Sequence, residues 1–209
     1  MTMQPSRVLI TAAFLLAGIS NVMAASSVDL GVVGVITPSA CTPTLSNNGV
    51  VDHGKISAQD FPDAGNKHLP KVTLQLVVSC NAAMLMAVKP TDNRAGSTFY
   101  DYPEYFGLGL ASGGEKIGWY MLVTRNAIAD DITRSVIESD DGESWRFADN
   151  TYWGVGRMRT AQGTGWNPMP LTTLKVDLEV YTTLMDKNTL PITEEIQIDG
   201  SATIDVVYL

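Results

Sequence analysis

The side chains able to do chemistry are few and scattered. His53 stands in a His-Gly turn and His68 in a polar loop, with no other histidine in the chain. A zinc centre needs three or four ligands brought together, which two unclustered histidines and an oxidised cysteine pair do not offer. A serine hydrolase of the α/β type carries a Gly-x-Ser-x-Gly elbow, and none is present. Phe106-Gly107-Leu108-Gly109-Leu110 lacks the third glycine, the basic residue and the following helix of a phosphate loop. It reads as a strand whose glycines let another backbone or ring approach. Carboxylates gather at Asp130-Asp131 and between residues 138 and 143, the pattern of solvated hairpins. Asp140-x-Gly142-x-Ser144-Trp145 has the spacing of an Asp-box, but Glu138 stands where its leading Ser or Thr belongs. A single such copy is a turn with the tryptophan packed beneath. Trp119, Trp145, Trp153 and Trp166 can floor a sugar site together with the tyrosines, although core packing accounts for most of them. The expectation is a protein without catalysis, cofactor or metal.

Elements that position these side chains follow from periodicity. Val72, Leu74, Leu76 and Val78 alternate with polar neighbours up to Cys80, and Leu174, Val176, Leu178 and Val180 do the same with Lys175, Asp177 and Glu179. Residues 84–88 form a short, continuous apolar run, and residues 117–123 read as a strand. Ile192, Ile196 and Ile198, then Ile204, Val206 and Tyr208, repeat the alternation near the C-terminus. Residues 128–137 fit either a short helix or a strand pair, and residues 151–169 read as loop or irregular strand. No stretch keeps a long helical period. Many short strands between Gly, Asn and Pro turns predict an all-β sandwich in a single domain.

Residues 1–24 read as a secretory leader, with Arg7 as its only charge, an apolar run of 12 residues from 8 to 19, and a small-residue cleavage site at Val22-Met23-Ala24. That run is too short to span a bilayer, so a soluble product is expected. Taking Arg7 from the 14 basic residues leaves 13 against 22 acidic ones, a charge of −9. Such a balance, without a basic cluster, argues against nucleic acid and anionic membranes as partners. Cys41 and Cys80, exported into an oxidising compartment, are expected to pair. Closing a loop of about 40 residues stabilises a fold by roughly 4 kcal/mol on the chain-entropy model.

Between leader and first cysteine lies VDLGVVGVI, in which Val28, Leu30, Val32, Gly34 and Ile36 share one face if the segment is extended. It either pairs with its own sheet or adds as a strand to another subunit.

Taken together, the leader, this alternating extension with Gly34 seven residues before Cys41, the strand-ending Cys80 and the penultimate Tyr208 resemble subunits of chaperone–usher pili. Within that group the chain looks most like a fimbrial-type family of unknown function. The phrases carrying the likeness are Gly34-x-Ile36-x-Pro38-x-Ala40-Cys41, Asp92-Asn93-Arg94, Phe106-Gly107-Leu108-Gly109-Leu110 and Ile198-Asp199-Gly200-Ser201-Ala202-Thr203. The resemblance implies an immunoglobulin-like sandwich lacking its last strand, with a leader (1–24), a donor-strand extension (25–37) and a sandwich domain (38–209). It further implies a structural fimbrial subunit of a Gram-negative cell surface, contributing to adhesion. Its partners would be a periplasmic chaperone, an outer-membrane usher, other pilin subunits and a host receptor or glycan. Val28, Leu30, Val32, Gly34 and Ile36 would fill pockets of the next subunit. Ile204, Val206 and Tyr208 would border the groove and pair with the chaperone. The alternative is a self-complete secreted β-sandwich whose aromatic middle, residues 95–170, binds a carbohydrate or host surface.

Overall fold

The computed structural model describes residues 30–34 and 41–209. These stretches belong to different units of the chain. Residues 30–34 carry no regular secondary structure, and Leu30, Val32 and Val33 are exposed. The leader, Val28 and Ile36 lie outside the described residues.

Among the described residues the larger unit has twelve strands: β1 (Cys41–Leu45), β2 (Lys67–His68), β3 (Val72–Met84), β4 (Met86–Asp92), β5 (Phe106–Gly107), β6 (Gly118–Ala129), β7 (Ile132–Thr133), β8 (Val136–Ser139), β9 (Arg146–Phe147), β10 (Met158–Ala161), β11 (Leu171–Leu184) and β12 (Ala202–Tyr208). The only helical turns among the described residues are three short 3-10 turns, and no helix there is long and apolar enough to cross a membrane. One sheet runs β1-β3-β11-β6-β5, with β2 on β11 and β7 on β6; the other runs β12-β4-β10-β8-β9. Every pairing is antiparallel. The chain is an all-β sandwich of two sheets.

Alternation along the strands decides which side chains enter the core. Leu74, Leu76 and Val78 of β3 and Leu174, Val176, Leu178 and Val180 of β11 are buried in one cluster with Leu122, Val88 and Trp153. Cys41 and Cys80 face each other directly in the β1–β3 register and form the expected disulfide, 4.0 Å between Cα atoms. Two prolines sit where a ladder loses nothing by them. Pro43 is on the edge strand β1, and Pro90 pairs with Ile204 at a position that exchanges no hydrogen bonds with β12.

The structure settles one open reading and departs from the sequence pattern in two places. Residues 128–137 are the strand pair rather than the helix. Asp130 and Asp131 take left-handed φ values of 48° and 62° in the turn between β6 and β7, where short acidic side chains tolerate that conformation. The run 151–169 contains the buried strand β10, hidden in the sequence because its inward position is Arg159 rather than an aliphatic residue. Residues 192–198 repeat the apolar alternation of β12 but pair with no strand.

Candidate functional site

The sandwich has two seams, and one is open. On that side the sheets end in β1 and β12, and each strand is paired on one edge alone. The strands meet at one end, where the Cys41 N–H donates to the Tyr208 hydroxyl at 3.0 Å. Away from this link a groove opens between them. Its upper part, about 330 Å³, lies between Leu45 and Ile204 and is floored by the core side chains Leu74, Tyr120, Leu122 and Leu178. A second part, about 400 Å³, continues between Ile56 and Ile196 over Ile117 and Leu184. Val51, His53 and Ile198 wall both parts.

The backbone of β12 is bonded along one edge only. Asn93 N–H donates to the Ser201 carbonyl and Leu209 N–H to the Leu85 carbonyl, each at 3.0 Å, so odd-numbered residues bond toward β4. Alternation then turns the N–H and C=O of Ala202, Ile204 and Val206 to the open edge, while their side chains pack against the core. An unpaired edge above apolar pockets is the geometry of strand addition, in which main-chain bonds give strength and alternate side chains give fit.

Of the residues singled out in the sequence, Ile204 and Val206 lie on this edge half-buried, and Tyr208 is exposed at its end. Leu30, Val32 and Gly34 are in the stretch without regular structure, so no strand is seen there. His53 is more than a turn residue. Its Nε2 is 2.9 Å from the Thr182 hydroxyl, and burial pulls the imidazole below its ordinary pKa while Asp52 opposes that shift. Sequence alone gave no signal for this placement, since residues 50–56 show no periodicity. His68 sits 3.0 Å from the Thr183 hydroxyl through Nδ1, on the neighbouring strand pair.

The carboxylates serve the fold. Glu138 takes Arg159 at 2.9 Å, Arg146 at 3.0 Å and Arg157 at 3.3 Å. Arg159 crosses the sandwich to the Thr124 hydroxyl of the opposite sheet, 2.8 Å away, and its guanidinium lies against Trp153. Asp130 caps the start of β11 by accepting from Thr172 and Thr173, which hold its carboxyl below the usual range. In the Asp140–Trp145 turn it is Asp141 that accepts from the Ser144 and Glu143 N–H groups, and these bonds hold it well below the usual range. The Trp145 indole closes the turn on the Gly142 carbonyl. Glycine at 107 is a packing requirement, since a Cβ there would lie 2.0 Å from the Ser97 hydroxyl. Among the described residues no cluster of His, Cys, Asp or Glu has the grouping of a metal site.

Aromatic side chains divide between core and surface. Trp153 and Trp119 are buried, with Tyr105 stacked on Trp119 at 4.8 Å, whereas Phe99, Tyr100, Tyr102 and Trp166 are exposed.

Against known proteins, residues 30–105 match the model of a family described as a protein of unknown function (DUF1120). Protein GltF of Escherichia coli (strain K12) is 30% identical over 90% of this chain and 92% of its own length. The chain belongs to the GltF family. The uncharacterized protein YhcF of the same organism is 24% identical over 90% of the chain and 93% of its own length. Each of the two alignments covers nine-tenths of this chain and more than nine-tenths of the relative.

Proposed function

We propose that this chain is a structural fimbrial subunit, exported through the periplasm and assembled at a Gram-negative cell surface by donor-strand exchange. The observation that carries the reading is the groove: an apolar trough floored by core side chains, bordered by the unpaired edge of β12. A sandwich left this way exposes side chains that a complete fold buries, and an added strand covers them. A periplasmic chaperone would occupy the edge first, the usher would direct export, and the N-terminal extension of the next subunit would replace the chaperone. Val28, Leu30, Val32, Gly34 and Ile36 of that extension would face the pockets, and Ile204, Val206 and Tyr208 would form the receiving edge. No catalysis is part of the proposal.

The test is a denaturing gel of surface material from cells expressing the chain with a chaperone and usher. A ladder in the unboiled lane that collapses on boiling to about 20 kDa, the 22.5 kDa chain less its leader, supports strand-exchanged polymers. A single monomer band in both lanes overturns the reading. Gly34→Leu is expected to abolish the ladder, because a bulky side chain would have to enter a pocket during exchange; an undiminished ladder removes Gly34 from the donor face.

A second reading has its own observation. Phe99, Tyr100 and Tyr102 form an exposed aromatic array, edge-to-face between Phe99 and Tyr100 and tilted between Tyr100 and Tyr102, beside the Tyr105–Trp119 stack. Such rings suit the apolar faces of sugars, which favours a secreted carbohydrate- or surface-binding module. Glycan-array binding by a stable monomer, lost in Tyr102→Ala, would select it.

A further inference from the structure

Phase is the first clue that the receiving edge is longer than β12. The apolar or small residues Ile196, Ile198, Gly200, Ala202, Ile204 and Val206 are all even-numbered, and all except Val206 line the groove, where the polar Glu194, Glu195, Gln197 and Ser201 join them. Val206 and Ile196 both pack against the core. The apolar face of β12 thus continues in register into a segment that belongs to no strand. Residues 195–200 run without a turn.

Hydrogen bonding gives the second clue. On the side facing β4 the pairing does not stop at Ala202. Asp199 N–H donates to the Leu108 carbonyl at 3.0 Å, and the Arg94 guanidinium binds both the Asp199 carbonyl and its carboxylate. One edge is therefore satisfied from Asp199 through Leu209. On the other edge, facing the groove, no backbone–backbone bond is made by residues 193–198 among the described residues, and β12 has no second partner strand. Half a ladder is already built along 199–201, waiting for the other half.

Gly200 fits the same picture. A Cβ there would lie 3.0 Å from Leu108 Cδ2 and 3.1 Å from Tyr120 Cε1, so the glycine keeps the floor at Tyr120 open to an incoming side chain. The open edge offers five inward positions, 198, 200, 202, 204 and 206, over a length of roughly 30 Å. Residues 28–36 present five alternate positions, Val28, Leu30, Val32, Gly34 and Ile36, and their single charge, Asp29, falls on the opposite face.

We infer that the docking edge spans residues 198–206, that its occupant is the 28–36 segment of a second copy of this chain, and that docking draws residues 198–201 into the sheet as an extension of β12. The inference rests on the donor-strand reading but makes a narrower claim. Amide exchange of the exported full chain, with and without a synthetic peptide of residues 26–38, tests it. Exchange is expected to slow by about ten-fold or more at the amides of Ile198 and Gly200 as well as Ala202, Ile204 and Val206. Protection confined to 202–206 overturns the longer edge and leaves the donor-strand reading standing. Exchange unchanged at every one of these positions overturns both. Ile198 is exposed, so Ile198→Asp leaves the fold intact and is expected to weaken peptide binding about ten-fold, roughly 1.4 kcal/mol. Unchanged binding by that variant also overturns the longer edge.

Discussion

The two seams of the sandwich solve the same problem in opposite ways. On the way to the closed seam, between the inner strands β6 and β10, the sheets are tied by Arg159, which is 1% exposed and bonds Thr124, the Thr151 hydroxyl and Glu138 at once. Trp153 is fully buried beside it. Between β1 and β12 the tie is a single exposed bond from Cys41 N–H to Tyr208, and beyond it the core is open along the groove. The closed seam hides charge and satisfies it; the open seam leaves apolar side chains and backbone groups without a partner. Both arrangements carry cost, since a buried ion pair gives up solvation and an open edge exposes a template for pairing. The difference teaches that one side is completed within the fold, while the other is left free for the incoming chain that the proposed function requires.

Substitutions can sharpen that contrast. The largest effect on stability is expected at the closed seam: Glu138→Ala leaves the Arg159 guanidinium buried without its carboxylate, and denaturant unfolding should show a loss of about 3–5 kcal/mol. A loss below about 1 kcal/mol would mean that the network is not holding the seam. At the open seam Tyr208→Ala removes the acceptor for Cys41 N–H, a cost of about 1 kcal/mol at most because the bond is exposed. The same variant should be recovered less with a chaperone, and undiminished recovery would take the C-terminal end of β12 out of that contact.

The smallest effect is a pH dependence at the groove wall. Burial holds the folded-state pKa of His53 below its ordinary 6.5, so the unfolded chain binds the proton more readily. His53 therefore adds nothing to the pH dependence well above 6.5 and destabilises the fold as pH drops below it. The carboxylates Asp52, Glu194 and Glu195 and the cation Lys55 line the groove beside it, Asp60 and Lys67 line a neighbouring hollow that His53 also borders, and Asp52 opposes the shift. Unfolding midpoints of the chain and of His53→Gln should converge above neutrality and separate toward pH 5.5, with the variant flatter. Parallel curves would mean that the imidazole titrates as it does in solvent.

Much of the fold was legible in the residues. Period-2 alternation marked β3, β11 and β12 because each has one face in the core and one in a polar setting, and the export expected from residues 1–24 made the Cys41–Cys80 pair readable from composition. The strand β10 escaped, because a pattern of apolar residues cannot reveal a position filled by a buried, fully paired arginine. The turn at Asp130-Asp131 read as solvated charge, since only the fold shows Asp130 accepting from Thr172 and Thr173 across 42 and 43 residues. Conversely, the alternation at 196–198 promised a strand that the single chain does not complete.

That last case separates what the sequence determined from what the tertiary structure decided. Side-chain type and spacing settled which faces turn inward, from Leu74 to Val206, because burial rewards each apolar side chain locally and additively. Which edges find a partner is not a local property. It depends on where β1 and β12 end up across the sandwich, on Asn93, Arg94 and Leu108 reaching one side of residues 199–201, and on no strand of the described residues reaching the other.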